Sequence, residues 1–153
     1  MRIGLFRLAA LFAVSVSLAL PAGAASLSHR VEIRSSQLNF AGAQAEIIAV
    51  LLAEQKYSSI LLEFQKIVNL GLVGEDETLL VRHAWYVALQ LGEAGQFSLA
   101  HRIVEETLAK TTADLQNRYR LLMLKGKLFK EQRLFEQAIE VYRQAQQLAV
   151  PVE

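Results

Sequence analysis

Three copies of one residue pattern constrain the fold of this chain more than any other feature of its sequence. Each copy has an aromatic residue, a smaller apolar residue three positions later and a larger one four positions after that. The copies are Tyr57, Ile60 and Phe64; Phe97, Ala100 and Val104; and Phe135, Ala138 and Tyr142. The first offset, from Tyr57 to Phe97, and the second, from Phe97 to Phe135, are nearly equal. Self-similarity at such a spacing is typical of proteins built from stacked, structurally equivalent units.

Small residues in this pattern indicate where two helices can pack closely. Ala100 and Ala138 each lie on a predicted second helix. Twelve positions earlier, on the preceding helix, stand Ala88 and Gly126 respectively. A glycine inside a helix costs about 1 kcal/mol relative to alanine, and close packing is the simplest compensation for that cost. The spacing therefore predicts that Ala138 lies near Gly126.

Apolar residues at three- and four-residue spacing predict six helices, which short connections would arrange as antiparallel pairs. The expected pairs cover about residues 36–71, 76–110 and 112–150, within a domain spanning residues 35–151. No stretch alternates strictly between apolar and polar residues, so we expect no sheet. The expected N-caps are Ser36 for the first helix, Asp76 or Thr78 for the third, and Thr111 or Thr112 for the fifth.

The last of these pairs resembles the tetratricopeptide repeat (TPR) family. The residues that carry the resemblance are Leu122, Gly126, Phe129, Phe135, Ala138, Tyr142, Ala145 and Pro151. The middle pair is a fair match, whereas the first departs because Ile48 and Ile60 stand where small residues are expected. Both offsets also exceed the family's period of about 34 residues, so longer helices or loops must absorb the difference. The resemblance implies an all-α fold of three stacked antiparallel helix pairs, a TPR-like α-solenoid.

The N-terminus has the three-part layout of a secretory signal peptide. Two arginines lead into an uncharged run from Leu8 to Leu20, and small residues follow Pro21. We predict a signal peptide over residues 1–24, cut at its end or one residue later, and a flexible leader over residues 25–34. The alternative is an uncleaved anchor, but a helix of that run would span only about 20 Å of a roughly 30 Å hydrocarbon core. We expect export, with the bacterial periplasm as the location, and no membrane span in the mature chain.

Side chains with catalytic or metal-binding chemistry do not form recognisable groups in the sequence. The chain has no cysteine, and its three histidines, His29, His83 and His101, do not stand at metal-ligand spacings. It has no nucleophile-elbow, dinucleotide-binding or phosphate-loop motif. Its formal net charge of +1 is too balanced for a nucleic-acid binder. We therefore predict no catalytic residue, metal, cofactor or nucleic-acid partner.

Candidate partner-binding residues follow from the resemblance. In TPR proteins the first helices of the pairs line a concave groove that holds a peptide. The positions that map onto this groove are Arg82, Trp85, Leu89, Arg120, Met123, Lys127 and Lys130, with Gly42, Ala45, Ala49 and Leu52 on the first helix. The groove would be apolar at one end and basic at the other, with Trp85 as an anchor. The competing interpretation is that Trp85 belongs to the core and that the cations are only solvated.

Repeat architecture without recognisable chemistry predicts a binding module rather than an enzyme. The expected function is an exported protein–protein interaction module that holds a partner polypeptide on its concave surface, as an adaptor or scaffold. The alternative is a structural or self-associating component of a cell-envelope assembly. In that alternative, copies would meet through an apolar end formed by Val141, Leu148 and Val150, because no polar capping helix follows the sixth helix.

Overall fold

The computed structural model describes residues 22–111 and 114–149, and its regular elements are helical. These residues form six α-helices and no strand, so the predicted all-α class is confirmed. The helices are α1 (Ala22–Ala53), α2 (Tyr57–Val68), α3 (Glu77–Glu93), α4 (Phe97–Lys110), α5 (Leu115–Glu131) and α6 (Phe135–Leu148), with one turn of 3-10 helix at Gly74–Asp76. None of the helices in the described ranges is long and apolar enough to cross a membrane.

Helix α1 begins much earlier than the sequence pattern predicts. It starts at Ala22 and runs through residues 25–34, for which we predicted a flexible leader. No glycine or proline occurs between Ala24 and Ala41, so nothing there interrupts helical backbone. Ser36, the expected N-cap, therefore lies inside the helix. Most of the predicted signal peptide, residues 1–21, lies outside the described residues.

The turns inside the three helix pairs share one backbone geometry. Packing divides the chain after Ile33, and all three turns lie in the part that begins at Arg34. Gln55, Gly95 and Arg133 follow the first helix of each pair and have φ angles of 57°, 74° and 62°. In each turn the next residue's amide donates to a carbonyl five residues earlier, over 2.8, 2.7 and 2.9 Å respectively. This is the Schellman arrangement that ends many helices. It recurs with the same two offsets as the side-chain pattern.

The main core lies between α1 and α5. Ala41 and Ile48 of α1 are buried beside Ile60, Phe64 and Ile67 of α2. The same cluster continues through α3 and α4 to α5, with α2 contacting α3 and α4, and α5 contacting α3 and α4. A second, smaller cluster joins α5 to α6 through Leu122, Val141 and Ala145. Buried apolar residues of all six helices therefore form the interior, divided between a large cluster and a small one.

Like the predicted cap of α1, the predicted side-chain caps of α3 and α5 are wrong. Asp76 precedes α3, but its carboxylate accepts hydrogen bonds from Arg34 Nε (2.6 Å) and Nη2 (2.8 Å) instead of from first-turn amides. Helix α5 is capped by Asp114, whose Oδ1 accepts from the amides of Gln116 (2.8 Å) and Asn117 (3.0 Å). Asp114 directly precedes the first helical residue, which is the position from which a short carboxylate reaches these amides. Thr111 is buried at the end of α4, and Thr112 lies outside the described residues.

Gly126 allows α6 to approach the backbone of α5. A Cβ built at this position would lie 2.5 Å from Cε1 and 2.7 Å from Cδ1 of Tyr142. The neighbour that requires glycine is therefore the Tyr142 ring, one turn beyond the Ala138 that we predicted. Ala138 is itself buried, with 3% of its surface exposed. The close approach predicted from the glycine is present, but an aromatic ring rather than a small side chain occupies the space.

The apolar end of the domain is made by different residues from those predicted. Val141 is buried and Leu148 is half-buried against α5, while Val150 lies outside the described residues. The exposed apolar side chains are at the start of α6 instead: Leu134, Phe135 and Ile139. Val141 stands three residues after Ala138 and four before Ala145, so all three share the face of α6 that packs on α5.

Candidate functional site

A groove on α3 is the candidate functional site. It encloses a cavity of about 360 Å³, lined by Thr78, Val81, Arg82, Trp85, Tyr86, Leu89, Gln90 and Glu93 of α3 and by Arg120 of α5. Four of the seven predicted partner-binding residues therefore meet at one place: Arg82, Trp85, Leu89 and Arg120. Three and four positions separate Arg82, Trp85 and Leu89, so they lie along one face of the helix.

Apolar and aromatic side chains form the floor of the groove. Trp85 and Leu89 are half-buried and pack against the main core cluster. Tyr86, beside Trp85, leaves 50% of its surface exposed. Trp85 thus combines features of both interpretations, because one part of its ring system contacts the core while another lines the groove. A large aromatic surface fixed by the core on one side loses little conformational entropy when a ligand covers the other side.

Charges stand at opposite ends of the groove. Arg82 and Arg120 are exposed, and neither takes part in an ion pair or hydrogen bond with another of the described residues. Glu93, eleven positions after Arg82, accepts a hydrogen bond from Gln90 Nε2 over 3.1 Å. At the rise of an α-helix, that separation corresponds to about 16 Å. The groove therefore presents cations and a carboxylate about 16 Å apart along α3, with aromatic surface between them.

A buried polar cluster holds the N-terminal ends of α3 and α5 together. Asn117 Nδ2, on a residue that is 1% exposed, lies 3.0 Å from Asp114 Oδ2 and 3.3 Å from both Glu77 Oε1 and Thr78 Oγ1. Thr78 and Glu77 begin α3, whereas Asn117 is in the first turn of α5. This contact fixes the register of the two helices, and with it the position of Arg120 beside the α3 groove.

The remaining predicted groove residues lie elsewhere. Met123 is half-buried in the small cluster between α5 and α6. Lys127 is 3.8 Å from Glu131 on the same helix, and Lys130 is exposed in the last turn of α5. The α1 positions are likewise absent from the lining: Gly42, Ala45, Ala49 and Leu52. The groove is therefore shorter than the resemblance implied and is built almost entirely on α3.

Two other basic residues of α5 have structural partners. Arg118 Nη1 donates to the carbonyl of Thr111 over 2.8 Å and so binds the C-terminal end of α4. Lys125 Nζ lies 3.2 Å from Glu105 Oε1 of α4. These contacts connect α5 to the preceding helix, leaving Arg120 as the α5 cation that faces the groove.

Five lining residues were not predicted as groove residues: Thr78 and Val81 near the start of α3, and Tyr86, Gln90 and Glu93 further along it. The last three stand four, eight and eleven positions after Arg82, so helical spacing from that residue places them on the same side of α3. The resemblance supplied only the positions that match the family's groove. The helical spacing of these residues was visible in the sequence, but any solvated helix face has the same spacing. Only the concave shape of the surface distinguishes a groove from a solvated face.

His83 and His101 have lowered pKa values because both are partly buried. Burial lowers the pKa of His101, with opposing contributions from Glu105, which raises it, and Lys125, which lowers it. Burial also lowers the pKa of His83, and nearby Arg82 adds to the effect. The ring of His101 lies 4.3 Å from that of Phe129, and the Gln132 amide is 2.6 Å from its Nε2. These are packing contacts between α4 and α5.

Groups that could ligate a metal do not assemble in the part of the chain that the structure describes, where no three His, Asp or Glu residues come together. No family model, curated protein or solved structure matches this chain.

Proposed function

We propose that this chain is an exported, TPR-like protein–protein interaction module that holds an extended segment of a partner polypeptide in the α3 groove. It would act as an adaptor or scaffold and not as an enzyme. The observation that carries the proposal is the concave surface on which Trp85, Tyr86 and Leu89 stand beside Arg82 and Arg120. Clusters of partly exposed aromatic and arginine side chains are typical of binding hot spots.

The TPR-like stacking is supported by the shared geometry of the three helix pairs. The first helix of each pair ends in a residue with left-handed backbone conformation, followed by the same type of backbone hydrogen bond. Contacts between α3 and α5 and between α2 and α4 join like helices of successive pairs. Export is supported by the charge and apolar pattern of residues 1–24, and the proposed location is the bacterial periplasm.

The dimensions of the groove favour a short extended segment as ligand. A length of about 16 Å accommodates roughly five residues of extended chain. An apolar or aromatic ligand side chain would cover Trp85 and Leu89. An acidic residue would pair with Arg82 and Arg120, since a guanidinium binds a carboxylate through two parallel hydrogen bonds. Glu93 at the far end would repel a second acidic residue, so the ligand would be oriented by its charges.

The test is selection of peptides from a random display library on the protein, followed by titration of the enriched sequences. Trp85 is the only tryptophan of the chain, so its fluorescence reports directly on occupancy of the groove. We expect enriched peptides to combine an apolar with an acidic residue. Trp85→Ala leaves the chain without tryptophan, so isothermal titration calorimetry measures its binding. This substitution should weaken peptide binding by about 2 kcal/mol or more, roughly thirtyfold.

Charge reversal provides the second arm of the test and its control. Arg120→Glu should weaken the same peptides, whereas Arg143→Glu, an exposed arginine on α6 away from the groove, should leave their affinity unchanged. Peptides that bind equally well to the parent, Trp85→Ala and Arg120→Glu proteins would rule out the α3 groove as the binding site.

A further inference from the structure

The outer face of α1 carries a stripe of apolar side chains that are about half exposed. Phe40, Ile47 and Val50 are 45%, 47% and 56% exposed, and Ala43 is exposed between them. Their spacing of three and four positions places them in one stripe. Ala41 and Ile48, which are buried against α2, occupy a different face of the helix. Helix α1 is therefore apolar on two faces, only one of which is packed.

The repeat offsets show what this stripe corresponds to in the other pairs. The first offset leads from Phe40 and Ile47 to Leu80 and Val87 of α3, each only 2% exposed. The two offsets together lead from Ala43 and Val50 to Leu121 and Leu128 of α5, which are fully buried. The other counterparts of the stripe, His83 and Gln90 of α3 and Arg118 and Lys125 of α5, are half-buried. Inside the domain this face of a first helix is therefore buried or half-buried, whereas in α1 the equivalent residues are exposed.

Leu128 shows how the equivalent face is covered. A Cβ built on Gly92 of α3 would lie 3.1 Å from Leu128 Cδ2, so Leu128 packs on the preceding pair. Val50 is the counterpart of Leu128 on α1, which has no preceding pair among the described residues. The Val50 side chain is therefore placed to pack on a preceding helix pair, as Leu128 does, but the described residues provide no such pair.

The start of α6 presents the complementary half of that contact. Leu134, Phe135 and Ile139 are 42%, 57% and 50% exposed. The second offset relates Phe135 and Ile139 to Phe97 and His101 of α4, which are both partly buried. His101 is covered by side chains of α5, the first helix of the following pair. No helix follows α6 within the described residues, which leaves its face open.

We propose that the α1 face of one copy of this chain stacks on the α6 face of a second copy, head to tail. Each chain carries both halves of a contact that its own pairs already make internally, so a second copy supplies the missing half at either end. Glu46 borders the α1 face, and Arg133 borders the α6 face beside Glu136, so the α6 face offers Glu46 a cation as well as a carboxylate. An α1–α1 contact would instead bring two Glu46 carboxylates together.

The size of the faces sets the expected strength of association. A stable protein interface buries about 800 Å² on each partner, and three or four half-exposed side chains provide less than that. We therefore expect weak association, with a dissociation constant on the order of 10–100 µM. A contact of this type does not close on itself unless the rotation between copies happens to form a ring, so larger assemblies should follow dimers as concentration rises.

The test is sedimentation velocity on the chain as purified from expressing cells, at concentrations from about 5 to 500 µM. The weight-average mass should rise continuously beyond that of a monomer. Ile47→Asp on the α1 face and Ile139→Asp on the α6 face should each weaken association about tenfold or more, because each places a carboxylate in an apolar contact. Val50→Asp and Phe135→Asp repeat the test at independent positions, and circular dichroism verifies that all variants are folded.

Leu62→Asp is the matched control. Leu62 on α2 is 62% exposed, and its counterparts on α4 and α6 are the exposed Arg102 and Glu140. Stacking therefore leaves this position in solvent, and the substitution should not change association. An equal effect of Leu62→Asp would overturn the proposal.

Mixing the two face variants distinguishes head-to-tail stacking from a symmetric dimer. Ile47→Asp and Ile139→Asp chains together retain one intact α1 face and one intact α6 face, so they should form a dimer that grows no further. In a symmetric dimer only one of the two substitutions would matter, and that result contradicts the proposal. A strict monomer at the highest concentration also contradicts it and would point to another occupant, either the N-terminal residues or a different protein.

Discussion

Replacing Gly126 by alanine should destabilise the protein, although the same change stabilises an ordinary helix. In an open helix interior alanine is favoured over glycine by about 1 kcal/mol. The new Cβ would however lie 2.5, 2.7 and 2.9 Å from three atoms of the Tyr142 ring, so the ring must move off α5. Overpacking of this kind costs about 1–3 kcal/mol. The free energy of unfolding should therefore fall by up to about 2 kcal/mol.

Two other helical glycines provide graded controls. A Cβ at Gly42 would meet no atom within 4 Å, so Gly42→Ala should raise the free energy of unfolding by about 1 kcal/mol. At Gly92 the nearest atom is Leu128 Cδ2 at 3.1 Å, which a small shift of that side chain can relieve, so we expect little net change. The three substitutions should rank in the order of the space available to the new methyl group.

The background Tyr142→Ala isolates the contact itself. With the ring removed, Gly126→Ala should stabilise the protein by about 1 kcal/mol, like Gly42→Ala. The two substitutions should therefore be coupled by about 1–3 kcal/mol in a double-mutant cycle. Urea unfolding followed by circular dichroism, fitted as a two-state transition, measures all four corners of the cycle. Stabilisation by Gly126→Ala in the parent protein would refute the close packing of Tyr142 on α5.

Two further predictions concern the turns and the histidines. Arg133→Gly should raise the free energy of unfolding by up to about 1 kcal/mol, because a non-glycine residue at a φ of 62° is strained. Gly95→Ala at the equivalent turn should lower the free energy of unfolding by a similar amount. Changes of the same sign in the two variants would contradict the shared turn geometry. Burial lowers the pKa of His101 from its ordinary 6.5, so the unfolded chain binds the proton more readily than the folded one. The free energy of unfolding should therefore decrease as pH falls from above 6.5 toward the lower pKa of the folded state. His101→Gln should make the unfolding free energy less dependent on pH in that range, and an unchanged dependence would mean that His101 is not responsible for it.

The position of Arg120 in the groove depends on how α3 and α5 pack against each other. Asn117 connects the N-terminal ends of α3 and α5, and Arg120 lies one turn further along α5. A change in the register between these two helices would therefore move Arg120 away from Trp85 without altering any groove residue. If stacking of copies occurs, it uses α1 and α6 and leaves the α3 groove accessible, so the two proposed activities can be tested separately.

Periodicity located most helices closely, because the spacing of apolar residues is a local property that does not depend on the neighbouring helix. Helix α4 ends at Lys110, where the second predicted pair ends. The start of α1 was mispredicted because a polar segment without glycine or proline is compatible with either helix or coil. The cap of α5 was assigned to the wrong residue because several neighbouring side-chain oxygens could accept the first-turn amides. The position at which the backbone becomes helical decides that Asp114 accepts them.

The sequence by itself determined the all-α class, the number of helices in the described chain and the two offsets between the repeated patterns, since each follows from spacing along the chain. Tertiary structure alone decided that Tyr142 lies on Gly126, that Arg118 contacts α4 while Arg120 faces the groove, and that Phe40 remains exposed. The physical reason is that spacing fixes only which residues share a helix face. What covers that face depends on how far apart the helices lie and how they are rotated against each other.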